Sequence, residues 1–161
     1  MMCTLQSLID NKFDFDRKTV FLRVDFNVPM TDDGEIQDDS RIVAALPTIQ
    51  CLCDFNARVV VVSHYGRPNG VDPKLSLLPV ANKLRTLVEV PIFFIEEMDR
   101  EMIKTSILNV NPGCIAMLEN IRFHPEEEEN MIEFSTFFAS FIDVYVNDAF
   151  GAIHRPHSSI V

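Results

Sequence analysis

The sequence predicts an α/β domain: a three-layer, doubly wound parallel sheet with helices on both faces. Three observations carry that expectation. Val59 to Val62 are four consecutive valines with no polar alternation, the pattern of a strand covered on both faces, as in parallel sheets. Short apolar runs of this kind recur along the chain, separated by stretches long enough for a crossover helix. Each run empties into a polar segment, which places those segments together at the carboxyl edge, where open α/β sheets bind their ligands.

The 161 residues are expected to form one domain, 1–161, long enough to bury about 70% of the surface of the unfolded chain. A hydrophobic fraction of 47% and a charged fraction of 24% suit a globular protein. No segment approaches the roughly 18 apolar residues of a membrane span. Met1 to Lys18 is interrupted by Asp10, Lys12, Asp14 and Asp16, unlike the apolar core of a signal peptide, so a cytoplasmic location is expected. Cys3, Cys51, Cys53 and Cys114 lack zinc spacing and read as inert thiols. The net charge of −10 and pI of about 4.7 argue against nucleic acid or an anionic membrane as partner, and make local arginine clusters more telling.

Taken in order, Lys18 to Val28 is a first strand after a polar lead, stopped by Pro29, with Asp25 and Asn27 at its exit. Thr31 to Glu35 is a turn by its Asp and Gly content, and Ser40 is the expected N-cap of a helix reaching about Phe55. Ile42, Ala45, Leu46, Ile49, Leu52 and Cys53 give that helix its apolar face, and Pro47 should kink it or confine its regular part. The second strand, Arg58 to Val62, leads into Ser63-His64-Tyr65-Gly66-Arg67-Pro68, which Asn69-Gly70 and Pro73 extend to a loop of about ten residues, longer than a plain connection requires. A helix over 75–87 with Pro79 near its first turn, a strand over 91–95, a helix over 98–108 and a strand over 114–118 follow. Glu126 to Glu129 reads as a solvated run opening a helix over 130–141, because consecutive carboxylates point around a helix and do not converge on a metal. A fifth strand over 143–146 empties into a polar loop from Asn147, after which the chain looks cut at its C-terminal end. The whole is a Rossmann-like alternation with right-handed crossovers.

Beyond the strand ends stand Asp25 and Asn27, His64 and Arg67, Glu119, Asn120 and Arg122, Asn147 and Asp148, with His154 and Arg155 further on. Three of the nine arginines fall on this edge. Arg41, next to the expected N-cap, calls for an anion or for a salt bridge to Asp38 or Asp39. The planar fork of guanidinium suits phosphate and carboxylate, and several forks suggest a substrate with several negative charges. No glycine-rich phosphate loop follows the first strand, and five glycines are scant material for one. Residue chemistry alone thus reaches an α/β domain that binds a small polyanion, without specifying a reaction.

Five motifs go further. Arg23-Val24-Asp25-Phe26-Asn27-Val28-Pro29, Asp39-Ser40-Arg41-Ile42, Ser63-His64-Tyr65-Gly66-Arg67-Pro68, Leu118-Glu119-Asn120-Ile121-Arg122-Phe123, and Tyr145 to Gly151 followed by His154-Arg155 occur in this order. Together they resemble the N-terminal, phosphoglycerate-binding domain of phosphoglycerate kinase, and the resemblance covers nearly the whole chain. It implies reversible phosphoryl transfer between 1,3-bisphosphoglycerate with ADP and 3-phosphoglycerate with ATP. It implies that Arg67, Arg122 and Arg155 hold the substrate phosphate, that Asp25 and Asn27 orient the glycerate, and that Phe26, His64, Tyr65, Gly66 and His154 belong to the same substrate-binding site. Arg41 is implied as the catalytic residue, facing the phosphoryl group in flight. Mg2+ with ATP or ADP would be bound by a C-terminal domain absent from this chain, with no metal expected here. The full enzyme is expected to be a monomer, and this chain to be inactive alone. A stand-alone, non-catalytic phosphometabolite-binding module is the alternative. Tyr65, where the family more often has leucine, and Ala152, Ile153 and Pro156 around His154 and Arg155 depart from the family pattern.

Overall fold

The structure is a computed structural model that describes residues 4–31, 33–149 and 157–160. Five strands, β1 (Thr19–Arg23), β2 (Arg58–Val62), β3 (Ile92–Ile95), β4 (Ile115–Leu118) and β5 (Val144–Asn147), form one sheet in the order β3-β4-β2-β1-β5. Every pairing is parallel, with Arg23 opposite Val62 and Asn147, so all five carboxyl ends share one edge.

Side chains alternate across the pleat into two apolar cores. Val20, Leu22, Val59, Val61, Ile115 and Met117 face α2 (Ser40–Asp54) and α3 (Leu78–Arg85), with α1 (Leu5–Asp10) packed on the same core. Phe21, Val60, Val62, Ala116 and Leu118 face α4 (Arg100–Asn109) and α6 (Ile132–Ala139). The valine run is therefore buried on both sides, Val59 to Val62 being 0% exposed, and the expected three-layer fold is the observed one. The strand order reverses between β3 and β4, where the helices change face; this is the doubly wound arrangement.

Several boundaries differ from expectation for identifiable reasons. β1 stops at Arg23 because its neighbours end there: Val24 N–H still reaches Val62 O (3.0 Å), but Phe26 N–H turns to the Ser63 hydroxyl (2.9 Å). Val24, Phe26 and Val28 keep a strand-like alternation and are buried without being in the sheet. The polar lead contains α1, whose Thr4 side chain caps Ser7 N–H (3.0 Å) while Leu5, Leu8 and Ile9 pack on the core. Asp39, not Ser40, occupies the N-cap of α2, and Ser40 N–H is held by Asp38 Oδ1 (2.9 Å). Pro47 lies inside α2 without confining it.

The acidic run departs most from its reading. It forms its own short helix, α5 (Pro125–Glu128), separated from α6 by Asn130 with a positive φ of 52°. Glu127 is 0% exposed rather than solvated.

Candidate functional site

The site is assembled from the exits of β1, β2 and β4 and the start of α2. At the end of β2, the buried Ser63 hydroxyl accepts Phe26 N–H (2.9 Å) and so ties the two central strand exits together. From the β4 exit, Asn120 is 0% exposed and uses its whole amide. Its Oδ1 accepts Tyr65 N–H (3.2 Å) and Arg122 N–H (3.2 Å), and its Nδ2 donates to Tyr65 O (2.7 Å) and Leu75 O (2.9 Å). A fully satisfied buried amide makes the basic loop a fixed part of the edge.

Gly66 joins the loop to its neighbours. Its N–H donates to Asn27 Oδ1 (3.0 Å) and its carbonyl accepts from Arg122 Nη1 (2.7 Å). Arg41 Nη1 reaches across from α2 to Asp25 Oδ2 (2.8 Å) and Asn27 O (3.3 Å). Arg41, Asp25, Asn27, Gly66 and Arg122 thus form one contiguous series of contacts. The Arg41 partner is Asp25, not Asp38 or Asp39; Asp39 instead pairs with Lys83 (2.8 Å). Asp38 is held below the usual carboxylate range, chiefly by the hydrogen bonds from Ser40. Arg122 is buried with its Nε 3.3 Å from Glu128 Oε1, whereas Arg67 is exposed on the loop.

Other expected site residues take different places. The side chain of Phe26 is 0% exposed in the apolar core, and that of Tyr65 is half-buried against the same core. Glu119 serves the start of α3: its carboxylate accepts from Ser76 Oγ (2.6 Å) and Leu77 N–H (2.7 Å). His154 and Arg155 lie outside the described residues. Cys51, Cys53 and Cys114 are free thiols, and burial pushes Cys53 up to about 12; Cys3 is outside the described residues.

Beneath this edge lies a buried polar group that the sequence reading did not select. Arg23 is 0% exposed and donates to Ser159 Oγ (2.8 Å), Val24 O (2.6 Å) and His64 Nδ1 (3.2 Å). Ser159 in turn engages Glu127 through its hydroxyl and its N–H (2.8 Å). Desolvation lowers the pKa of Arg23, opposed by the nearby Glu127 charge, and desolvation raises that of Glu127 against the Ser159 hydrogen bonds and Arg23. An arginine within an apolar strand was a legible signal, since a buried charge requires a partner; that Ser159 and, through it, Glu127 supply it from more than 100 positions away was not. A groove of about 500 Å³ between α6 and β5, lined by Phe21, Ile132, Phe138, Tyr145 and Ser159 among others, has no cation among its described lining residues.

The chain is thus a parallel α/β domain whose carboxyl edge, the edge at which such sheets bind ligands, links arginines, a carboxylate and amides. The family model described as phosphoglycerate kinase matches residues 10–161, and the chain belongs to the phosphoglycerate kinase family. It is 43% identical over 158 residues to a phosphoglycerate kinase of Pseudothermotoga lettingae, covering 98% of this chain and 40% of that protein. It is 46% identical over 146 residues to the protein named phosphoglycerate kinase 3, cytosolic, of Arabidopsis thaliana, covering 91% of this chain and 36% of that protein. The crystal structure of phosphoglycerate kinase from Pyrococcus horikoshii superposes with a TM-score of 0.85 at 37% identity, over 99% of this chain and 40% of that one. The chain therefore spans about two fifths of the length of these relatives.

Proposed function

We propose that this chain supplies the phosphoglycerate-binding half of a phosphoglycerate kinase, the glycolytic enzyme that moves a phosphoryl group between 1,3-bisphosphoglycerate with ADP and 3-phosphoglycerate with ATP. The observation that carries this reading is the contiguous series Arg41, Asp25, Asn27, Gly66 and Arg122 on one carboxyl edge. Arg67 and Arg122, with Arg155, hold the substrate phosphate. Asp25 and Asn27 orient the glycerate beside His64. Arg41 is the catalytic residue: its guanidinium, held at the mouth by Asp25, faces the phosphoryl group, and neutralising charge on the equatorial oxygens is the main service a protein gives such a transfer.

The described residues include no group of three or more His, Cys, Asp or Glu side chains placed to hold a metal. The proposal assigns magnesium with ATP or ADP to the part of the relatives' length that this chain does not span. Docking of that part against the edge would bring the substrates together and exclude water. The proposed enzyme is a cytoplasmic monomer without nucleic acid or membrane as partner; the name of the cytosolic plant relative supports the location, and among the described residues no helix is long and apolar enough to cross a membrane.

Calorimetric titration tests the assignment. The parent chain should give saturable heat with 3-phosphoglycerate, and Arg122→Ala and Arg67→Ala should each weaken binding about tenfold or more, as loss of a charge-assisted contact does. Magnesium with ADP should give none. A parent chain silent toward 3-phosphoglycerate would reject the proposal, and saturable micromolar binding of magnesium ADP would overturn the division of labour.

A further inference from the structure

Arg23 is buried at the end of β1 with its donors aimed in three directions: Nε at Ser159 Oγ (2.8 Å), Nη1 at Val24 O (2.6 Å) and Nη2 at His64 Nδ1 (3.2 Å). Guanidinium has donors only and stays protonated in proteins. In the Arg23 contact, therefore, Nδ1 of His64 must accept, and a neutral ring then carries its proton on Nε2.

The other end of the series holds the guanidinium in place. Because the Ser159 hydroxyl oxygen accepts from Arg23, its own proton is left for Glu127 Oε1, while Glu127 Oε2 accepts Ser159 N–H (2.8 Å). Ser159 is further anchored where its carbonyl accepts the Tyr145 hydroxyl (2.8 Å), and Ser158 N–H donates to Glu127 O (3.0 Å). Glu127, fully buried, supplies the negative charge nearest in effect to Arg23. Arg23 donates outward both ways, to His64 and to Ser159, and Ser159 donates onward to Glu127, so each of these contacts has one possible donor.

We propose that Glu127, Ser159 and Arg23 are positioning residues that hold His64 as its Nε2–H tautomer, so that the ring donates from Nε2 and does not serve as a general base. His64 sits in the loop that carries Gly66 and Arg67, and the bearing of its tautomer on phosphoglycerate binding rests on the functional reading above. Arg23 acts through His64, and Glu127 and Ser159 act through Arg23.

The tautomer can be read directly on the 15N-labelled parent chain, without ligand, near neutral pH, by correlating the histidine ring protons with both ring nitrogens; His64→Gln identifies the resonances. The expected result is a protonated nitrogen at Nε2 and an unprotonated one at Nδ1. Ser159→Ala should mix the two tautomers, and Ser159→Thr, which keeps the hydroxyl, should restore the single one. In parallel, Ser159→Ala should weaken 3-phosphoglycerate binding about tenfold and Ser159→Thr by no more than about twofold, the scale of one lost hydrogen bond. If Ser159→Ala does not fold, Glu127→Gln serves the same comparison and should also mix the tautomers. A parent His64 protonated at Nδ1, or a single unchanged tautomer in whichever of these two variants folds, overturns the relay. An Nε2–H tautomer in a parent that fails to bind 3-phosphoglycerate upholds the relay and rejects the functional reading.

Discussion

Gly66 has a φ of 61°, in the left-handed region, and a Cβ added there would stand 2.8 Å from Leu75 Cδ2. Its two backbone groups also connect Asn27 with Arg122. Gly66→Ala is expected to destabilise the chain by about 1–2 kcal/mol, the cost of a left-handed conformation for a residue with a Cβ, measurable as a shift of the urea midpoint. At Glu127, burial raises the pKa in the folded state above the unfolded value. The unfolded chain therefore gives up this proton first as pH rises. The favourable contribution is complete below the ordinary carboxylate range and is lost as pH climbs through the raised value. Relative to Glu127→Gln, the parent should become less stable between the ordinary value and the raised one, and a gap between their urea midpoints that does not change with pH would contradict this. Cys53, pushed up to about 12 by burial and the Asp54 charge, should react with iodoacetamide far more slowly at pH 8 than a free thiol does, as mass spectrometry of partly labelled protein would show.

Among the elements, α2 shows how packing overrides a local breaker. Pro47 has no N–H to donate to the carbonyl of Val43, yet Ile42, Ala45, Ile49, Leu52 and Cys53 are buried on one stripe and hold the helix through it. Pro47 itself is exposed, so Pro47→Ala should raise stability by about 2 kcal/mol, the interior-proline penalty less the entropy that proline removes from the unfolded chain; thermal unfolding checks it. α5 shows the reverse case. Asn130, at a positive φ, separates this short helix from α6, and within it Glu127 turns inward to Ser159 while Glu128 meets Arg122.

For the whole molecule, parallel pairing gathers residues from distant segments at one edge, beneath which Glu127 and Ser159 meet Arg23. That edge carries arginines on a chain of net charge −10. Binding of a trianionic metabolite through those arginines should weaken as sodium chloride rises, since salt screens exposed pairs; calorimetry at two ionic strengths would measure it. Incubated with 3-phosphoglycerate and magnesium ATP, the chain should form no ADP in a coupled assay, because the proposed nucleotide half belongs to the length of its relatives that it does not span.

The sequence by itself determined the architecture, because the valine run called for burial on both faces, as in the middle of a parallel sheet, and the other short apolar runs alternated with stretches of helix length. It also determined which polar segments share an edge, since strand direction and right-handed crossovers leave one choice. Motif order determined the family. Tertiary structure alone decided which of those residues touch. Arg41 meets Asp25 and not its sequence neighbours, Phe26 faces the core, and Glu119 serves a helix start. It also decided that Arg23 and Glu127, a strand residue and a member of an acidic run, form a buried pair through Ser159. The physical reason is range. Periodicity reports which face of an element is apolar, but a hydrogen-bond partner is set by where two elements meet, and for Arg23 and Ser159 that meeting spans 136 positions of chain.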